Sequence, residues 1–300
     1  MESNNLLLQC FAQLEQVVKT LQSSTIEEDE GGIAAKLGSK LSGRVAYGLR
    51  GLTAKSLENL NVDAAPQNLV LLESKVPELA ATSTGLGNSE FWSSDALHKH
   101  LKMLKGFVAT NEAGVRLWIN AFFFRVHAML NGTDKAMVLS VEQHVDVNVN
   151  PSTDLNVFVD YAALRGSKDV AGSFLKMPIL GLKRNRDSLT LFVSEAKRLD
   201  TPLEDYLPQT AGEMYACAKA LQKNIVRGAL TDGRSWIFVI FKVNEAGGGT
   251  YYCTNRIRVI DFFGHISKEQ CDLIAGIIAH WIDKSHQDLD ESDWIAYNGA

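Results

Sequence analysis

The chain has 300 residues, 46% of them hydrophobic, and a formal net charge of −5 at pH 7. That length can bury one large core or two modest ones. The acidic total excludes a broadly basic surface that holds nucleic acid by bulk electrostatics, so any phosphate-binding region has to be local.

The opening segment, MESNNLLLQCFAQLEQ, lacks a basic n-region and a long apolar h-region, and no run of about eighteen apolar residues occurs. The cysteines, Cys10, Cys217, Cys253 and Cys271, form no C-x-x-C pair or regular framework, which argues against zinc and disulfides and for a reducing compartment. The expectation is an intracellular protein, cytoplasmic or nuclear, without signal peptide, transmembrane segment or membrane partner. Leu7, Phe11, Leu14, Val18 and Leu21 lie at helical spacing in residues 5–22. An acidic linker, STIEEDEGG, follows. In residues 33–50, Lys36, Lys40 and Arg44 fall on one helical face, solvated or turned to phosphate. Residues 51–108 read as helices around LEN and DALHKHLKML joined by loops. Residues 1–108 are therefore expected to form a mainly helical N-terminal extension or cap.

From Asn111 the pattern becomes that of a layered α/β domain over 109–300, a central mixed sheet flanked by helices. The segment NEAGVRLWINAFFFRVHAML predicts an enclosed helix, with Phe122, Phe123, Phe124 and His127 in the core. Strand-like runs AMVLSVEQHVDVNV, LNVFVDYAAL and SLTLFVSEAK follow, then a helix over PQTAGEMYACAKALQK. The turn LTDGR leads into the strand SWIFVIFKV. A glycine-rich loop precedes a strand over YYCTNRIRVIDFF, and a closing helix covers 267–284. The sheet is expected to be flanked by the 112–130 and 208–222 helices.

Two of these strands carry charges where a buried strand should have none. Glu195 and Lys197 are two apart, so they project to one face, while Ser194 and Ala196 face the other way. Asp160 interrupts the preceding apolar run. Burying such groups is costly without a partner or a task. If the two strands are neighbours, Asp160 and Glu195 converge on a single hard cation with Lys197 beside it, a set that suits Mg²⁺. An ion pair at a strand end is the competing reading.

A strand Asp160, then Glu195-Ala196-Lys197 on the next strand, then Gln209 opening a helix and a TDG turn, in that order, resembles the PD-(D/E)xK phosphodiesterase superfamily. Its fold is restriction endonuclease-like. EAGVRLWINAFFFR and QTAGEMYACAK also resemble uncharacterised proteins of mushroom-forming fungi. The resemblance implies Mg²⁺ (or Mn²⁺) held by Asp160, Glu195 and the Ala196 carbonyl. It makes Lys197 the water-orienting cation and Gln209 a supporting polar group, with Glu142 or Glu112 completing the acids. Glu213, one helical turn from Gln209, shares its face. Val159 stands where the motif has proline. The long gap between Asp160 and Glu195 leaves Asp154 and Asp187 as alternatives for the first acid. That gap reads as a loop insertion over 165–187, whose Lys168, Lys176, Lys183, Arg184 and Arg186 would meet a phosphate backbone or be merely solvated. The expected activity is metal-dependent hydrolysis of nucleic acid. The alternative is a catalytically inactive module of the same fold that binds nucleic acid or a protein.

Overall fold

A mixed sheet with helices on both faces forms the body of the protein, as the alternation of helical and strand-like runs predicts. The computed structural model describes residues 45–47, 53–132, 134–150, 153–199 and 201–299. In chain order the elements are β1 (Val45–Tyr47), α1 (Ala54–Asn59), β2 (Val62–Ala64), β3 (Leu69–Leu71), α2 (Val76–Gly85), α3 (Ser94–Phe107) and α4 (Glu112–Leu130). Then come β4 (Lys135–Asn150), β5 (Thr153–Ser167), α5 (Lys168–Lys176), α6 (Lys183–Ser188), β6 (Thr190–Ala196) and α7 (Leu207–Leu221). The chain continues through β7 (Ile225–Thr231), β8 (Ser235–Val243), β9 (Gly249–Cys253), β10 (Ile257–Arg258), α8 (Lys268–Asp283) and β11 (Ile295–Tyr297).

The main sheet runs β1-β5-β6-β7-β8-β9-β2, with β4 on β5 and β10 on β8. β5 and β6 are antiparallel, β6 and β7 parallel, and α7 is the crossover that a parallel pair requires. β6 is buried on both sides, so its apolar residues Leu191, Phe192 and Val193 run consecutively instead of alternating with polar ones. Phe192 and Ala196 join Trp118, Phe122 and Trp281 of α4 and α8 in one core; Leu191 and Val193 join Met214, Tyr215 and Leu221 of α7 in the other.

Several expectations change. Residues 165–187 are not one loop: β5 runs on to Ser167, and α5 and α6 follow. Ser167 caps α5 by accepting from the Val170 amide, and Val170, Ala171 and Phe174 bury its inner face. The strand expected over 251–263 is interrupted after Cys253. His127 is exposed, not a core residue, because α4 leaves one stripe to solvent; Phe124 lies on that stripe against the Trp92 ring. The region before residue 108, read as helical, carries helices and also strands: β1 pairs with β5, β2 with β9, and β3 with β11. Val45–Tyr47 is strand where a helical face was expected. The helix over 5–22 and the Lys36, Lys40 and Arg44 stripe lie outside the described residues. No helix among the described residues is long and apolar enough to cross a membrane.

Candidate active site

The antiparallel register of β5 and β6 pairs Tyr161 with Ser194, which brings Asp160 and Glu195 opposite each other at the end of the paired segment. Leu191 and Val193 face α7, and alternation carries Glu195 to that same face. It is only 3% exposed. Its Oε1 accepts from Lys197 Nζ at 2.6 Å and from Gln209 Nε2 at 2.9 Å. Gln209 knits the cluster together: its Oε1 accepts from Lys197 Nζ at 2.9 Å, and its Nε2 also donates to Glu213 Oε1 at 2.8 Å. The Lys197 ammonium lies 4.7 Å from the centre of the Tyr206 ring. Gly228 lets α7 come this close, since a Cβ there would meet the Val193 carbonyl oxygen at 2.5 Å and Met214 Cε at 3.3 Å.

Burial pushes the Glu195 carboxyl up to about 7, and the Asp160 charge adds to this against the pull of Lys197. Glu213 is raised well above the ordinary carboxyl range, first by burial and then by the charge of Glu195, with which it shares a hydrogen bond. Burial thus favours the neutral form of Glu213. Neither Glu195 Oε2 nor Glu213 Oε2 has a hydrogen-bond partner. Burial works against the Lys197 charge, but Glu195 outweighs it, with Glu213 and Asp160 assisting, so the lysine titrates above its ordinary range. Lys197 is a fixed cation and not a base.

Asp160 is held differently. Its Oδ2 accepts from the Ala196 amide at 2.9 Å, and its Oδ1 accepts from Arg116 Nη2 at 2.8 Å. The same guanidinium reaches Glu142 at 2.6 Å and Glu112 at 3.3 Å. Asp160 marks a break in the strand. Leu155, Val157 and Val159 pack on the α7 side, whereas Tyr161 and Ala163 pack on the α4 side. Across from this break Glu142 takes φ 54°, a left-handed conformation that side chains other than glycine rarely adopt. The break turns Asp160 toward α4, and Arg116 supplies the counter-charge that the two acids alone would lack.

The TDG turn braces the other side. The Thr231 carbonyl accepts from the Lys197 amide at 2.8 Å. Thr231 Oγ1 accepts from the Gly233 amide at 2.9 Å, and Asp232 Oδ1 accepts from the amides of Arg234 and Ser235 at 2.9 and 2.6 Å. Gly233 has φ 75°, and a Cβ there would meet Trp118 Cβ of α4 at 2.7 Å, so glycine is needed for both reasons.

Glu195, Lys197, Gln209 and Glu213 thus meet; Asp160 stands beside them on the Ala196 amide, its charge acting on Glu195, and Arg116 joins it to Glu142 and Glu112. The basic residues do not. Lys168, Lys176, Lys183, Arg184 and Arg186 lie on α5 and α6, by the Arg165–Thr190 end of the strand pair, the end away from the acids. Asp187 is on α6 there, and Asp154 lies six residues back along β5, beside β1. Sequence reasoning missed Arg116, although Glu112 four residues before it is an ion-pair spacing. It also missed Tyr206, for which no signal stood out.

Among the described residues, no group of three or more His, Cys, Asp and Glu side chains is arranged to hold a metal ion. The set that the resemblance implies has two carboxylates and a main-chain carbonyl. Its hard oxygens suit Mg²⁺ or Mn²⁺, and the buried Glu195 Oε2, which has no hydrogen-bond partner, is an oxygen that a divalent cation would satisfy. No family model matches this chain, and no curated protein shows significant similarity to it.

Proposed function

We propose that the protein is a metal-dependent phosphodiesterase of nuclease type, with a restriction endonuclease-like core. The observation that carries this reading is that Glu195, Lys197 and Gln209 form one hydrogen-bonded cluster, with Asp160 of the adjacent strand held beside it on the Ala196 amide. Asp160, Glu195 and the Ala196 carbonyl would hold Mg²⁺ or Mn²⁺. The ion, when bound, supplies a more acidic water and stabilises charge on a phosphoryl oxygen. Lys197, permanently charged and pinned by Glu195, Gln209 and Thr231, orients the attacking water and offsets negative charge in the transition state. Glu213, which burial holds toward the neutral form, leaves Glu195 as the acid paired with Lys197, while Asp160 is paired with Arg116.

The ion pair between Arg116 and Asp160 favours a second reading: a guanidinium that permanently neutralises the first acid belongs to an inactive module of the same fold. Cleavage assays with Mg²⁺ or Mn²⁺ on single- and double-stranded DNA and RNA, run beside Lys197→Ala, separate the two. Divalent-dependent cleavage that disappears in the variant supports the enzyme. No cleavage of any of the four substrates leaves the inactive module.

A further inference from the structure

The sheet end that carries Lys197 continues into a surface the cluster does not use. Glu204, in the 3-10 turn Leu203–Tyr206, accepts from Arg256 Nε at 2.7 Å and from Arg256 Nη2, and this turn also provides the Tyr206 ring beneath Lys197. Arg258 is exposed, pairs in register with Ser235, and lies beyond Arg256. Arg256, Arg258, Ile257, Ile260 and Phe262 wall a cavity of about 570 Å³, with Glu73 and Asp261 also on its lining. Phe262, on its lining, and the adjacent Phe263 are 97% and 80% exposed.

Two adjacent exposed phenylalanines on a floppy loop would mean little, but this tip is braced. The Asp261 amide donates to the His265 carbonyl at 2.9 Å, the Gly264 amide to the Asp261 carbonyl at 3.0 Å, and the His265 amide to Asp261 Oδ1 at 2.7 Å. Lys105 also bonds the Gly264 carbonyl, and α3, which carries it, ends in another exposed aromatic, Phe107. Nothing in the core needs these rings outside, and holding large apolar groups in water is unfavourable. Exposed aromatic rings beside a concavity and an exposed arginine match what single-stranded nucleic acid offers: stackable bases on a charged backbone.

We infer that the Phe262–Phe263 tip and the cavity walled by Arg256 and Arg258 bind single-stranded nucleic acid, with bases against the phenyl rings and phosphate on Arg258, Arg256 being paired with Glu204. The choice of ligand rests on the function proposed above; the surface itself does not depend on catalysis. The α5 and α6 cations, at the other end of the strands, have no part in it.

The test is fluorescence anisotropy with a labelled oligothymidine of about 20 nucleotides and the full chain, in EDTA so that cleavage cannot occur. Phe262→Ala with Phe263→Ala should weaken binding by about tenfold or more without changing the melting temperature, because both rings are exposed. Arg258→Ala should weaken it and lower the log–log salt slope by about one. Lys183→Ala with Arg184→Ala and Arg186→Ala should leave it unchanged. Binding that ignores the tip variants, or affinity for anionic vesicles with none for the oligonucleotide, overturns the inference. Oligonucleotide binding through the tip without cleavage by any form upholds it while the phosphodiesterase reading fails. Lys197-dependent cleavage with tip-independent binding gives the reverse.

Discussion

Two buried charge clusters lie in this sheet, and they are built on opposite principles. In the first, Arg227 and Asp293 are wholly buried and paired at 2.6 and 3.2 Å. The guanidinium also donates to the carbonyls of Gln287 and Asp288 and lies 5.3 Å from the Trp281 ring. Burial opposes the Asp293 charge, but His280, Arg227 and the Asp290 amide hold its carboxyl below the ordinary range. Charges are equal, donors are used, and the pair fastens the segment after α8 to β7. In the second cluster, Glu195 and Glu213 outnumber Lys197, two carboxyl oxygens lack ordinary donors, and both acids titrate high. A protein holding a segment in place completes its hydrogen bonds; a protein leaving acids short of partners has kept room for something else.

The largest effect should come from breaking the completed pair. Asp293→Ala leaves a buried, unopposed guanidinium and should cost about 3–5 kcal/mol, read from the midpoint of urea denaturation. Combining Arg227→Met with Asp293→Leu should recover most of that loss. A small single-variant effect would mean that the two clusters do not differ in kind.

Next comes Lys197→Ala, which should lower cleavage about 10²–10³-fold while calorimetry still detects Mn²⁺. Its stability should be close to wild type below pH 6, where Glu195 takes up a proton, and fall above about 7, where the acid must carry an unbalanced charge.

Glu213→Gln sharpens the contrast through pH. Raised carboxyl groups bind protons in the folded state that the unfolded state has released, so stability falls as pH rises from the unfolded range near 4.5 toward 7 and beyond. For one proton the slope is about 1.4 kcal/mol per pH unit. Glutamine keeps the donor to Glu195 and removes a titration, so the variant should melt higher than wild type at pH 8, with a flatter profile between pH 5 and 8. A parallel profile would place the proton elsewhere.

The smallest effect should be that of Arg116→Ala on stability, under about 1 kcal/mol for each of its partly exposed ion pairs. Its informative readout is Mn²⁺ affinity. A rise shows that the guanidinium competes for Asp160. Absence of binding heat in both variant and wild type favours the inactive module.

The acids of the site were legible because each interrupts a run that otherwise belongs inside. The same rule applied to IVRGALT would have pointed to Arg227, which was passed over. Asp293 sits in a stretch of loop acids, DLDESDW, with no periodicity to single it out. α5 was legible in principle, with Ser167 as cap and Val170, Ala171 and Phe174 at helical spacing, but the cluster of cations drew the reading toward a loop. β2 and β3 have three residues each, too few for a period to show. The slip in β5 at Asp160 depends on the backbone of Glu142 across the sheet, a nonlocal fact that strand alternation does not encode. The restriction endonuclease-like assignment goes further than the α/β layering and rests on the site residues alone.

The pairing of β3 with β11 has a consequence for synthesis. Leu71 meets Ile295, and Lys75 Nζ donates to the carbonyls of Glu291 and Asp293, the first of them 216 residues away. At about 5–20 residues per second a ribosome needs roughly 10 to 45 s to deliver that partner. Throughout that interval the apolar edge of Leu69–Leu71 stays open on the nascent chain, a natural landing place for a chaperone until the final strand emerges.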